Sequence, residues 1–96
     1  MQLERTDTNF TEVLDGQAFA MRNGAMRVIV IVANETLVRM NMPEDGERQG
    51  AFFANYLPFW QEIAIAKYAA GKYENRGTRL RILPGDVARH LAQAAA

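Results

Sequence analysis

No cysteine occurs in the chain, so disulfides, thiolate metal sites and cysteine nucleophiles are all excluded. The lack of thiols fits a reducing cytoplasm. Histidine occurs once, at position 90. A single imidazole without a thiolate beside it makes no transition-metal site, and His90 reads as a surface residue. No charge of one sign dominates: 11 Lys and Arg balance 11 Asp and Glu. Long hydrophobic runs are missing too. The longest, residues 28–33, is far short of the roughly 20 residues that span a bilayer. The N-terminal stretch MQLERTDTNF has no basic segment followed by an apolar run, so it does not read as a signal peptide. A cytoplasmic protein with no membrane contact is expected.

Catalytic signatures are equally scarce. Gly46 and Gly50 are not followed by Gly-Lys-Ser/Thr, so they form no phosphate loop. There is no Gly-x-Ser-x-Gly elbow for a hydrolase. Thr36 and Thr78 have no base that the sequence places near them. Glu44, Asp45 and Glu47 lack the ligand spacing of a calcium loop and read as a solvated acidic segment. Asp86 stands where it would cap a final helix. Nothing argues for an enzyme, a cofactor or a metal.

What is present suits one domain over residues 1–96, with fraying expected at 1–8 and 90–96. Hydrophobic content of 49% and charged content of 23% are ordinary for a globular chain. The strongest local signal is QAFAMRNGAMRVIVIVAN. Asn23-Gly24 predicts a type I′ hairpin turn. The pairs expected are Arg22 with Ala25, Met21 with Met26, Ala20 with Arg27 and Phe19 with Val28. Phe19, Met21, Met26, Val28 and Val30 then share one face. Ala18, Ala20, Arg22, Arg27, Ile29 and Ile31 share the other. The doubly apolar VIVIV run predicts a central strand.

Upstream, TNFTEVLDG reads as a short helical turn, with Asn9 and Glu12 at capping-box spacing and Gly16 as its stop. Asn34 is expected to cap a short helix, ETLVRM, through its side-chain oxygen. A long helix follows. Phe52, Tyr56, Phe59, Trp60, Ile63, Ala66 and Ala70 form its apolar stripe, which Phe53, Leu57, Ala64 and Tyr68 widen to about half the cylinder. Gln61 falls on the opposite side. Extended over 47–73 such a helix would be about 40 Å long, so it must begin late, protrude, or kink at Pro58. TRLRILPGD reads as a third strand, with Leu80 and Ile82 on one side and Arg79, Arg81 and Leu83 on the other. The fold class expected is α+β: a three-stranded antiparallel sheet with one long kinked helix and a short helix packed on one face.

This layout resembles the small bacterial family catalogued as domain of unknown function 1488. The likeness rests on the Asn23-Gly24 turn, ANETL, FWQEIAIAKY and LRILPGD, and it covers residues 10–86. It implies a compact α+β domain from a bacterium and no assigned activity or site.

Charge is uneven along the chain. Residues 1–62 hold nine acids against five arginines, and residues 63–96 hold six bases against two acids. If the third strand joins the hairpin, Arg22, Arg27, Arg79 and Arg81 share one sheet surface with Ile29 and Ile31. Three readings of that surface stay open. The acidic N-terminal segment (Glu4, Asp7, Glu12, Asp15) covers it. It meets a protein, including a second copy of the chain, since arginine and aliphatic residues are typical of interfaces. Or it meets nucleic acid, as open sheets do, though without aromatic platforms. A non-enzymatic binding or interaction module is the functional expectation. A small-molecule enzyme or sensor, with a pocket beneath Phe53, Tyr56 and Trp60, is the remaining alternative.

Overall fold

A computed structural model of the chain describes residues 3–6, 10–43 and 45–95. Asp7, Asn9 and Glu44, which enter the expectations above, lie outside the described residues. In chain order the elements are β1 (Thr11–Val13), β2 (Gly16–Asn23), β3 (Met26–Ala33), α1 (Asn34–Arg39), α2 (Gly46–Ala69), a short 3₁₀ turn (Asn75–Gly77), β4 (Arg79–Ile82) and α3 (Pro84–Ala95). The strands form one sheet in the order β1-β2-β3-β4. The α+β class is as expected. The sheet is not three-stranded and antiparallel: it has four strands, and β4 runs parallel to β3.

Both differences have physical causes. β3 and β4 are joined through α1 and α2, and a helical crossover of that length returns the chain in the same direction. The stretch expected as a helical turn is instead the edge strand β1, paired with β2 through Thr11↔Ala18, Glu12↔Gln17 and Val13↔Gly16. Ladder pairing outweighs the capping-like spacing in this segment, and β-branched Thr11 and Val13 suit it. Gly16 therefore opens β2 and stops no helix. Further along the same edge, Glu4 and Arg22 exchange backbone hydrogen bonds of 2.6 and 3.0 Å.

The hairpin turn lies one residue later than expected. Asn23 pairs with Met26, so Gly24 and Ala25 are the two turn residues. Gly24 has φ of 61°, and positive φ at only the first central position is the II′ pattern. Asn23 remains in the strand, where its amide donates to the Tyr68 hydroxyl at 3.1 Å. Each cross-strand pair moves by two positions: Arg22 faces Arg27, Met21 faces Val28, and Ala20 faces Ile29. A shift of two preserves the division into faces, because side chains alternate with period two.

One face of the sheet carries the core. Met21, Val28, Val30, Val32, Leu80 and Ile82 are fully buried there, beneath Phe53, Trp60, Ile63, Ala64 and Tyr68 of α2. Leu3 joins this cluster, and Phe10 stacks on Phe53 with ring centroids 4.4 Å apart. The core stripe of α2 is rotated about 100°, one residue's worth, from the one expected. Gln61 is buried, while Tyr56, Ala66 and Ala70 are exposed. An apolar arc half a cylinder wide does not fix its own centre; packing against the sheet does.

Asp45 caps α2, accepting from the Glu47 amide at 3.3 Å, and the helix continues through Pro58 to Ala69. Its 24 residues make it about 36 Å long, matching the molecule's greatest extent of 36 Å.

Helix α3 begins with Pro84 at its first position and Leu83 as N-cap. Asp86 closes the start from inside, its Oδ2 accepting from the Leu83 amide at 2.8 Å. The same oxygen meets Lys67 Nζ at 2.8 Å in a pair that is nearly buried, and Lys67 also donates to the Arg81 carbonyl at 2.7 Å. Asn34 does not cap α1 with its oxygen. It is the first helical residue, and its amide donates to the Leu14 carbonyl at 3.2 Å.

Candidate functional site: the open face of the sheet

The helices lie over one side of the sheet, and the other side carries the residues singled out from sequence. Register fixes their positions, because directly paired residues point the same way. Across the hairpin end the row is Glu4, Arg22, Arg27. The next row holds Ala20, Ile29 and Arg79, and the one after it Thr11, Ala18, Ile31 and Arg81. All four arginines therefore stand on one sheet face, together with Ile29 and Ile31.

They divide into two groups. Arg81 is half-buried and held between two carboxylates, with its Nη2 3.1 Å from Asp15 and its Nε 3.3 Å from Glu74. Arg22, Arg27 and Arg79 are exposed and form no ion pair among the described residues. Arg22 and Arg27 share one row across β2 and β3, and Arg79 stands in the next row on β4. Of the described N-terminal acids, Asp15 alone forms an ion pair with one of these arginines. Asp15 reaches Arg81, and Glu4 stands beside Arg22 in the ladder. Glu12 pairs with Gln17 and so points with the core side of the sheet.

Arg22 and Arg27 approach each other closely. Both backbone polar groups of Arg22 bond to Glu4, on the side away from β3. Arg22↔Arg27 is thus a non-hydrogen-bonded pair, the kind in which Cα atoms approach to about 4.5 Å. Like charges directly opposite in this way are destabilising.

Two anchors hold the arginine-bearing segments. The Tyr68 hydroxyl, buried under the sheet, accepts from the Asn23 amide and donates to the Gly77 carbonyl at 2.9 Å. It ties the end of the hairpin to the turn that leads into Arg79. That turn is tightly wound, with Asn75, Arg76 and Gly77 all at positive φ. The β4 edge is closed as well. Arg79 exchanges backbone bonds with Glu74, and the Arg81 carbonyl accepts from Lys67. Closure of this edge blocks strand addition beside β4.

Between the arginines the surface is apolar and shallowly concave. One open depression of about 680 Å³ is lined by Val13, Ala20, Arg22, Arg27 and Ile29. A second, of about 530 Å³, is bordered by Leu14, Asp15, Ile31, Asn75 and Arg79. Leu14, at the tip of the β1–β2 turn, is 94% exposed. Sequence reasoning assigned Leu14 to a helical turn and gave it no role; its flank of Val13 and Asp15-Gly16 is the signal that a hairpin reading would have used.

In the aromatic segment of α2, where a pocket beneath Phe53, Tyr56 and Trp60 was the alternative, Tyr56 is exposed. Phe53 and Trp60 are core residues, and Phe59 packs edge-on against His90 with centroids 5.3 Å apart. His90 also lies 3.5 Å from Glu62. Among the described residues no cluster of His, Asp and Glu is arranged to hold a metal ion, and no helix is long and apolar enough to cross a membrane. Comparison with family models, curated proteins and solved structures finds no match.

Proposed function

We propose that the protein is a non-enzymatic interaction module, and that its open sheet face docks a protein surface carrying carboxylates beside aliphatic side chains. The observation that carries this reading is the Arg22–Arg27 pair: two exposed arginines directly opposite each other in the ladder, with Arg79 one strand away and no carboxylate paired to any of the three among the described residues. Such an arrangement costs the isolated fold stability and is repaid when an anionic group arrives. The half-buried Ala20, Ile29 and Val13, with exposed Leu14 beside them and Ala18 and Ile31 already buried beneath, match an interface centre, where arginine is enriched and lysine and acids are scarce. A nucleic-acid strand on an open sheet would draw on stacked aromatics, and this face has none.

Titration followed by NMR tests the reading, with poly-L-glutamate as a protein-like anionic probe and a mixed-sequence single-stranded oligonucleotide in parallel. The Nε resonances of Arg22, Arg27 and Arg79 should shift with polyglutamate while that of Arg48, exposed on α2, stays still. The Arg22→Glu/Arg27→Glu variant should abolish the shifts. Oligonucleotide binding more than about tenfold tighter, with a steep salt dependence, would replace this reading with the nucleic-acid one. Absence of any shift at the three arginines would remove both.

A further inference from the structure

We propose that the occupant of the open sheet face is a second copy of this chain, stacked face to face about a two-fold axis that runs across the strands. This rests on the interaction-module reading above and names its partner.

Charge is distributed unevenly along the strands. At the hairpin end stand Arg22 and Arg27, with Glu4 beside Arg22 and Arg79 in the next row, which leaves this end with more arginines than carboxylates among the described residues. At the other end two carboxylates, Asp15 and Glu74, surround the single Arg81. One end of the face is thus net positive and the other net negative. A two-fold axis along the strands would set arginine over arginine. An axis across the strands inverts the strand direction and sets the Asp15 end of each copy over the Arg22–Arg27 end of the other. Such a contact is isologous, closes on itself, and needs only one kind of surface.

Shape agrees with charge. The β1–β2 turn projects Leu14 into solvent at 94% exposure, yet its backbone is fixed. Asn34 donates to the Leu14 carbonyl through its amide and to the Asp15 carbonyl through its backbone, the latter at 2.9 Å. Asp15 is further held by Arg81. A rigid, apolar tip ordered before contact loses little entropy on docking. The same inversion brings this tip over the partner's depression of about 680 Å³, whose floor is Val13, Ala20 and Ile29. Asp15 then meets the two guanidiniums at the rim. Both contacts occur twice.

The area sets the strength. The four strands contribute 3, 8, 8 and 4 residues, which at about 3.3 Å by 4.8 Å each cover about 360 Å² per copy. About 700 Å² in all is the size of a weak, transient contact. A weak, reversible dimer follows, populated only at high concentration and weakened further by salt because the complementary groups are at the surface.

Sedimentation equilibrium on the full chain, from micromolar to near-millimolar and at two salt concentrations, tests this. Wild type should pass from monomer to dimer. Asp15→Arg and Arg27→Asp should each be monomeric, since each sets like charges together twice. Mixed in equal amounts they should dimerise again, because at one contact the substituted positions 15 and 27 carry opposite charges, and the other keeps Asp15 against Arg22 and Arg27. Leu14→Asn should weaken the dimer at least about tenfold, the effect of exposing one leucine, while leaving thermal unfolding of the monomer unchanged. A wild type that stays monomeric but still binds polyglutamate at its arginines overturns the second-copy inference and leaves the interaction face standing. A monomer that binds neither removes both. A dimer indifferent to all three substitutions uses another surface and overturns the inference.

Discussion

Replacing Tyr68 by phenylalanine removes one oxygen atom and little else, and the structure assigns that oxygen a specific task. The hydroxyl is a bridge from the Asn23 amide to the Gly77 carbonyl. Its loss leaves the carbonyl of a buried glycine without this donor, and an acceptor stranded in that way costs about 1–3 kcal/mol. The ring remains and fills the same space, so no cavity term is added. We expect Tyr68→Phe to lower unfolding stability by about 2 kcal/mol, read as a fall in the urea midpoint with an unchanged slope.

A second substitution separates this bridge from a general loss of packing. A Cβ at Gly77 would lie 2.7 Å from the Tyr68 hydroxyl oxygen, and its φ of 88° is unfavourable for any side chain. Gly77→Ala should therefore cost about 3 kcal/mol in the wild type, from backbone strain and overlap together. In Tyr68→Phe the overlapping atom is gone, and the next nearest atoms are 3.5 Å away. Gly77→Ala should then cost only the strain, about 1–2 kcal/mol. The double variant is thus more stable than the sum of the single effects by about 1 kcal/mol or more. Strict additivity, or a Tyr68→Phe effect below about 0.5 kcal/mol, would refute the bridge and with it the fixed placement of Arg22 and Arg79.

Other substitutions test the remaining structure. A side chain at Gly16 would overlap the Val32 carbonyl oxygen, so Gly16→Ala should destabilise by about 3 kcal/mol, measured by chemical denaturation. Asp86→Ala strands the nearly buried Lys67 and opens the start of α3; a loss of about 3–5 kcal/mol is expected, with much of it recovered when Lys67→Met is added. Arg27→Glu turns a like-charged cross-strand pair into an opposite one. It should raise the thermal midpoint, through a gain of a few tenths of a kcal/mol, while abolishing polyglutamate binding at the face. A variant that loses both stability and binding would show that Arg27 serves the fold instead.

The sorting of the hairpin into faces was legible because it depends only on parity. Asn23-Gly24 announced a reversal near position 24, and any two-residue shift leaves Arg22, Arg27, Ile29 and Ile31 on the same side. Which residues formed the turn was not legible. Asn23 is held in the strand by Tyr68, 45 positions away in the chain, and no local pattern carries that bond. β1 was hidden for a similar reason: three residues are too few for alternation to register, and Asn9 with Glu12 imitates a helix start. The direction of β4 was open to a better argument, since a crossover that contains a long helix favours a parallel return. In α2 the failure was one of angle. Hydrophobic residues cover so much of the helix that Gln61 could be buried and Tyr56 exposed without altering the pattern. At the candidate site, the arginines were visible individually, but the pairing of Arg81 with Asp15 and Glu74, which the other three do not share among the described residues, arises from loops brought together only in the fold.

The most direct test of the open, arginine-bearing face is the register of its central pair, read from cross-strand Hα–Hα contacts by solution NMR. In a non-hydrogen-bonded antiparallel pair these protons lie close together. Strong contacts are expected between Arg22 and Arg27, Ala20 and Ile29, and Ala18 and Ile31. Contacts of Arg27 with Ala20, or with Met21, would separate the two guanidiniums and contradict this register.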